Sequence, residues 1–414
     1  MYLTRLSVDR YKCFAGRVDI EIRPLTLLIG RNSSGKSVIS RLPILLRHAL
    51  SGDAIAPVDL TADGLEFGAS FVDLVHGRSK HGAIGLGFRV EEEGGEYIDW
   101  WTEIQHIDDY KLQIVKYLRL DASEVGTFEL RWTEAGDPLN PAYVVDESAD
   151  PPVPFAFSGF LPASPRGDVP QPIVTAKAAA LSAFHPLRHL GPLRATPSRD
   201  YVYPSRRLGD VGASGRNAAE ILGADALRDG RKVLDAVAAF YERELGGWRL
   251  DVEPQGERFA LVLVSGNTKV NLVDAGVGLS QALPLVIQRY VDTVRNAGGG
   301  VEVVEQPELH LHPAAHTGLA DLYIDAVRRR PRPRFIIETH SENFLLRVRR
   351  RIAEGVLDPR EVALYWVSDE LGSSHLRPIP IDETGAVQTW PKGVFSEDYE
   401  EIKAIGQARA ERTS

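Results

Sequence analysis

The sequence predicts an α/β fold with a mostly parallel sheet and a β-rich insertion. Three observations carry this. An apolar strand, a glycine loop and an amphipathic helix follow one another between residues 25 and 50. After residue 257, apolar runs of strand length alternate with helical patterns, as in parallel strands joined by crossover helices. Between about 77 and 185 the texture changes to short β-like runs. No internal repeat is visible. No heptad persists for three or four turns, which argues against a long coiled-coil arm.

In chain order, Leu3, Leu6 and Val8 lie in a short β-prone run. Val18-Asp19-Ile20-Glu21-Ile22 alternates apolar and polar, the pattern of a half-buried strand, and Pro24 breaks it. Leu25-Thr26-Leu27-Leu28-Ile29 is continuously apolar, as expected of a parallel strand buried on both faces. The loop Gly30 to Ser37 follows. Ile39, Leu42, Leu45, Leu46 and Ala49 then recur at helical spacing. In the middle region, residues 84–90, 97–104, 111–120 and 127–132 read as strands. Residues 150–172 hold seven prolines and predict a long irregular loop without packing. Residues 217–246 read as helical. Strands at 259–264, 301–304, 335–337 and 362–367 then alternate with helices at 279–297, 314–329 and 343–354. The expected division is 1–76 and 186–414 as the two parts of one α/β unit, with 77–185 as the insertion.

Composition excludes several classes. Of 414 residues, 43% are hydrophobic and 25% charged, which is ordinary for a globular chain and unlike a disordered one. No run approaches the roughly 18 apolar residues of a membrane-spanning helix. Met1 to Arg5 lacks a signal-peptide core. Cys13 is the only cysteine, so there is no internal disulfide and no cysteine zinc site, and a cytoplasmic setting is expected. Cys13 reads as a small buried residue, not a reactive thiol. A net charge of −9 argues against a globally basic nucleic-acid coat. Residues 328–351 nevertheless hold nine arginines against Glu338 and Glu342. Such a patch suits DNA or RNA phosphates or an acidic partner, and equally a solvated helix face. Arg347, Arg350 and Arg351 are spaced to share one helix face.

Gly30-Arg31-Asn32-Ser33-Ser34-Gly35-Lys36-Ser37 fits G-x-x-x-x-G-K-[ST] at every fixed position. Glycines let the backbone curl so that N–H groups face phosphate oxygens, and the following helix adds its positive end. Lys36 reaches the β- and γ-phosphates, and the Ser37 hydroxyl ligates Mg²⁺. Two further apolar strands end in polar groups. Val301 to Val304 leads into Glu305-Gln306-Pro307-Glu308-Leu309-His310-Leu311-His312-Pro313. Phe335-Ile336-Ile337 leads into Glu338-Thr339-His340-Ser341-Glu342. Ligands in open α/β sheets bind outside the carboxyl ends of strands, so the loop, Glu305 and His340 are expected on one rim. His310 and His312 invite a metal reading, but their spacing suits a strand more than a helix face.

These motifs resemble those of ABC-type ATPases of the SMC, RecF and OLD (overcoming lysogenization defect) group. The likeness is to bacterial "AAA family ATPase" proteins associated with phage defence. The matching runs are the phosphate loop, Asp274 to Pro284, Glu305 to Pro313 and Glu338 to Glu342, with Leu190 to Arg194 and Trp390 to Phe395 also familiar. The resemblance covers about 1–76 and 186–414 and says little about the middle.

The resemblance implies an ABC-type P-loop ATPase head using ATP and Mg²⁺. Ser280, with Gly276 and Gly278, would be the signature loop that caps the γ-phosphate held by a second subunit, giving a head-to-head homodimer. Glu305 would join Ser37 at the metal, His340 would sense the γ-phosphate, and Tyr11 to Phe14 would meet adenine. One position departs from the pattern. The water-activating glutamate is replaced by Gln306, which accepts no proton at neutral pH. Either Glu308 or Glu338 substitutes, or Gln306 orients water by hydrogen bonding alone, or turnover is slow and the protein is mainly an ATP-gated clamp. OLD-like nucleases carry a Toprim nuclease domain after the head. The roughly 70 residues after Ser341 contain no Asp-x-Asp pair, so a separate effector, a nuclease or toxin, is expected, with an anti-phage role as sensor or scaffold. The alternative is a RecF-like DNA repair clamp using the Arg328–Arg351 region. A transporter subunit fits less well, because the signature reads Gly-Leu-Ser-Gln. A protein that binds ATP without turnover remains open through Gln306.

Overall fold

Every residue of Leu25–Gly30 is buried, and the strand has a neighbour on each side. The computed structural model describes residues 1–133, 137–146, 148, 150–388 and 390, and near the C-terminus 401, 403–405, 407 and 409. Leu25–Gly30 lies inside a six-stranded sheet. The order is Leu187–Leu190, Val301–Glu305, Arg334–Glu338, Leu25–Gly30, Val362–Glu370 and Ser373–Pro378. The first five strands pair in parallel and the last is antiparallel.

Period-two alternation explains why these strands read as unbroken apolar runs. Leu28, Val301, Val303, Ile336, Ala363 and Tyr365 face one core. Leu25, Leu27, Ile29, Val304, Phe335, Ile337, Leu364 and Trp366 face another. A sheet covered on both faces has no polar side to show. The first core also takes in Leu42–Ser51 and an eight-stranded antiparallel sheet. The second takes in Val277–Val294, Pro313–Val327 and Glu342–Ala353.

Three expectations need correction. The parallel arrangement holds for the six-stranded sheet only. The eight-stranded sheet is antiparallel throughout and joins Tyr2–Asp9 and Val18–Glu21 to the strands of the middle region. It therefore runs across the boundary drawn at 76. The strand Arg258–Ser265 was expected among the parallel strands. It pairs antiparallel with Arg249–Gln255, Tyr201–Val202 and Thr268–Asn271. The proline-rich stretch is packed in its middle, at Phe155 and Phe160 to Pro162, while its ends are exposed. It forms short strands at Val153–Pro154, Ala156–Ser158 and Leu161–Ala163, and Phe160 is fully buried. Pro172 sits in the first turn of the helix Gln171–Phe184, where its missing N–H costs nothing. The helices Ala218–Arg228 and Lys232–Glu244 fall where the pattern put them. Among the described residues, no helix is long and apolar enough to cross a membrane.

Candidate functional site

The sheet brings three strand ends to one rim. Register pairs Glu305 with Glu338, and Glu338 with Leu28. Two carboxylates therefore stand side by side where the phosphate loop begins. The loop is held from both flanks. A Cβ at Gly30 would lie 2.2 Å from the Val367 carbonyl oxygen, and one at Gly35 would lie 2.6 Å from the Cys13 sulfur. Gly35 has φ +99°, which disfavours any side chain. Ser374 ties the flanks together. Its N–H donates to the Cys13 carbonyl at 2.7 Å and its hydroxyl to the Ser34 carbonyl at 2.7 Å. Arg31, Asn32 and Ser33 face solvent, whereas Ser34 is buried. Lys36–Ser40 and Leu42–Ser51 follow, separated only by Arg41, which keeps right-handed helical backbone.

Lys36 is buried and bends back over its own loop. Its Nζ donates to the carbonyls of Gly30 at 2.9 Å and Arg31 at 2.7 Å, with Glu338 at 3.9 Å. Burial lowers its pKa, opposed by Glu338 and Glu308. The Ser37 hydroxyl donates to Glu338 Oε2 at 2.7 Å. Burial raises the Glu338 pKa, with the Ser37 bond and Lys36 opposing.

Glu305 was expected beside Ser37. Its side chain is instead engaged elsewhere. Arg41 grips it with two bonds, Nε to Oε1 at 2.6 Å and Nη2 to Oε2 at 2.7 Å. His189 Nε2 stands 2.9 Å from Oε1. Burial alone would raise this carboxyl, but the bonds from Arg41 and His189 bring it down to about 2. Arg194, also buried, donates to the carbonyls of Glu305 at 3.0 Å and Gln306 at 3.1 Å. Sequence reading assigned no role to Arg41, His189 or Arg194. Arg41 lies one helical turn beyond Ser37, and that spacing was its only local signal.

Gln306 adopts φ +46°, and its N–H donates to the Glu338 carbonyl at 2.7 Å. Glu308 is buried, and its Oε1 accepts from the His340 N–H at 2.7 Å. Burial, then the Lys36 charge, lowers the His340 pKa. Ser34 Oγ, Glu308 Oε2 and His340 Nε2 are buried polar atoms lacking any protein partner. With Lys36 and the Ser37 hydroxyl beside them, this donor and acceptor set fits a phosphate chain carrying a hard divalent cation. Mg²⁺ needs only one or two carboxylates when phosphates supply the rest.

The run expected to act as the signature loop lies at the start of Val277–Val294. Gly276 and Gly278 line a cavity of about 360 Å³ together with Glu244 and residues 310–312. A Cβ at Gly278 would lie 2.4 Å from the His310 carbonyl oxygen. Ser280 is buried and donates to its own helix, to the Val277 carbonyl at 2.8 Å. Tyr11 and Phe14 are core residues, 1% and 0% exposed, so neither ring is free to stack on a base. His312 caps Pro313–Val327 by accepting from the Ala314 N–H. Among the described residues, no group of three or more His, Cys, Asp or Glu side chains is placed to hold a metal. Trp390 lies under Arg349, 5.7 Å from its guanidinium carbon, while residues 391–395 lie outside the described residues.

Five of the nine arginines in the cluster pair with carboxylates from outside residues 328–351. Asp321 receives Arg347 and Arg351, and Glu354 receives Arg350 and Arg351. Arg332 pairs with Glu361 and Arg330 with Glu93. Arg334 lies over the Tyr2 ring, and Arg349 donates to the Gly385 carbonyl.

No protein-family model and no curated protein matches the chain. Solved structures are similar to it. An Smc head bound to the C-winged helix domain of ScpA is 12% identical, covering 92% of this chain and 99% of that one, with a TM-score of 0.49. The SMC head domain from Thermotoga maritima is 13% identical over 92% and 99%, with a TM-score of 0.41. An Smc head domain with an extended coiled coil, bound to the C-terminal domain of ScpA derived from Pyrococcus furiosus, is 11% identical over 99% of both chains, at 0.46.

Proposed function

We propose that this chain is an Mg²⁺- and ATP-dependent ATPase head that closes on a second copy of itself around bound nucleotide. The observation that carries this is the buried Lys36, folded over the carbonyls of a glycine loop, with Ser37 and two carboxylates at the same strand ends. On nucleotide entry Lys36 exchanges two carbonyls for phosphate oxygens, a stronger charge-assisted contact. A bound Mg²⁺, held by Ser37 and a carboxylate at these strand ends, would supply charge neutralisation to the phosphates. Ser34 and the loop N–H groups hold the phosphate chain. Glu308 has one oxygen fixed by the His340 N–H and one without a partner, so it is the better-placed carboxylate for water activation, with Gln306 orienting. His340 faces the same phosphate end. Gly276, Gly278 and Ser280 serve the other subunit's nucleotide, with the Ser280 hydroxyl turning from its helix carbonyl to do so.

The head comprises 1–76 and 186–414, and 77–185 extends the antiparallel sheet that Tyr2–Asp9 begins. Motif resemblance alone supports an anti-phage role with a separate nuclease or toxin effector in the cytosol. Co-purification of the neighbouring gene products tests it. A RecF-like DNA clamp needs an unengaged cationic surface, and five of the nine arginines of 328–351 are already paired with Asp321, Glu354, Glu361 or Glu93.

The test is Lys36→Ala, with ATP affinity and thermal melting measured on the same sample. Affinity should fall by about tenfold or more while the protein stays folded. A folded variant with unchanged affinity refutes the assignment.

A further inference from the structure

The motif order gives the metal to the glutamate that ends Val301–Glu305. The side chains say otherwise. We propose that Glu338 is the carboxylate that holds the cation, and that Glu305 is a positioning residue, locked by Arg41 and His189. This rests on the ATP reading above.

The cation must sit where the Ser37 hydroxyl and the phosphates near Lys36 can both reach it. Glu338 points one oxygen at each of these groups, Oε2 at Ser37 (2.7 Å) and Oε1 at Lys36 (3.9 Å). A cation entering between Ser37 and Glu338 displaces only the hydrogen bond that joins them. Glu305 has no such vacancy. Its Oε1 takes Arg41 Nε and His189 Nε2, and its Oε2 takes Arg41 Nη2. Its side chain is 3% exposed. To bind a cation it would have to release a bidentate guanidinium, which would then stand as an unpaired positive charge beside the metal. Sequence could not rank the two acids, because both end apolar strands and are direct partners in the ladder.

Arg41 follows Ser37 by one helical turn, so the Arg41–Glu305 pair fixes the phosphate-loop helix against Val301–Glu305. His189 fixes the same carboxylate to the edge strand Leu187–Leu190. Glu305 thereby sets where Ser37 stands, without touching the cation.

The experiment measures affinity for a fluorescent ATP analogue with Mg²⁺ and again in EDTA. The readout is the gain that the metal confers. Glu338→Gln should lose about tenfold or more of the Mg²⁺ gain, each variant being referred to its own affinity in EDTA. The paired variant Arg41→Gln/Glu305→Gln, which keeps an amide contact and frees no charge, should retain the gain. Glu305→Gln alone should lower it, because Arg41 is released, and adding Arg41→Gln should restore it. A purely structural role for Glu305 would not give that rescue. A Mg²⁺ gain that survives Glu338→Gln, or is lost in the paired variant, overturns the proposal. If Glu338→Gln does not fold, Glu338→Asp replaces it and must cut the gain. If the paired variant does not fold, Arg41→Met/Glu305→Met replaces it and must keep the gain. Absence of nucleotide binding by the unaltered protein in both buffers would instead refute the ATP reading.

Discussion

Glu305 and Arg41 should be strongly coupled in the nucleotide-free protein, and the structure sets the size. The surroundings hold the Glu305 carboxyl at about 2, against an ordinary 4.5. At about 1.4 kcal/mol per pH unit, that amounts to about 3 kcal/mol of stability near neutrality. The group's pKa is depressed on folding, so this stability is fully present above pH 4.5 and drains away as pH falls towards 2. Arg41 supplies two of the three contacts, so a double-mutant cycle of Glu305→Gln and Arg41→Gln should give a coupling of about 2 kcal/mol. Urea unfolding read by tryptophan fluorescence is the assay, since Trp366 is buried on the strand beside the phosphate-loop strand. The penalty of Glu305→Gln should be constant from pH 7 to about 5 and shrink below it. A coupling under about 0.5 kcal/mol, the size of ordinary non-additivity between distant sites, would refute the lock. So would a penalty that stays the same at pH 3.

Two further outcomes test the proposed chemistry. Glu308→Gln should slow phosphate release by about 10²- to 10⁴-fold, while Gln306→Glu changes it little; the reverse pattern would return the general-base role to position 306. For the shared site, Lys36→Ala and Gly276→Arg should each abolish nucleotide trapping, and their mixture should restore roughly one trapped nucleotide per dimer. Gly276 is the better position for a blocking side chain, because its Cβ would meet nothing within 4 Å, whereas Ser280 is buried. Failure to restore trapping in subunits shown to exchange would rule out a composite site.

The parts of the fold legible in the sequence were those fixed by local pattern. Leu25 to Ile29, Val301 to Val304 and Phe335 to Ile337 are unbroken apolar runs because both faces of their sheet are covered, and the sequence states that directly. Pairing partners are not local. Nothing in Leu3, Leu6 and Val8 announces that Tyr2–Asp9 pairs with Ala83–Glu91. Nothing in Phe259 to Val264 distinguishes a parallel strand from an antiparallel one. The helix Gln171–Phe184 was hidden because Pro170 and Pro172 were read as loop signals, although proline in a first turn is a helix opening. The site divides in the same way. Gly30 to Ser37 is contiguous and carries its own chemistry. His189 and Arg194 acquire a role only when the edge strand is laid beside Val301–Glu305.

Arg194 shows what that long-range arrangement achieves. Its guanidinium donates to the carbonyls of Glu305 and Gln306, bracing the turn in which Gln306 takes φ +46°. Its backbone is held by the Gln281 side chain, which accepts from the Arg194 N–H at 3.3 Å and donates to its carbonyl at 3.3 Å. Gln281 belongs to Val277–Val294, one turn beyond the signature glycines. The end of that helix proposed to meet the other subunit is therefore tied, through one buried arginine, to the turn that presents Gln306. These contacts are polar and mostly buried, so breaking them without replacement leaves unsatisfied groups costing about 1–3 kcal/mol each. Movement of that helix end would therefore strain the turn, which would link the proposed dimer contact to the proposed hydrolytic end of the site.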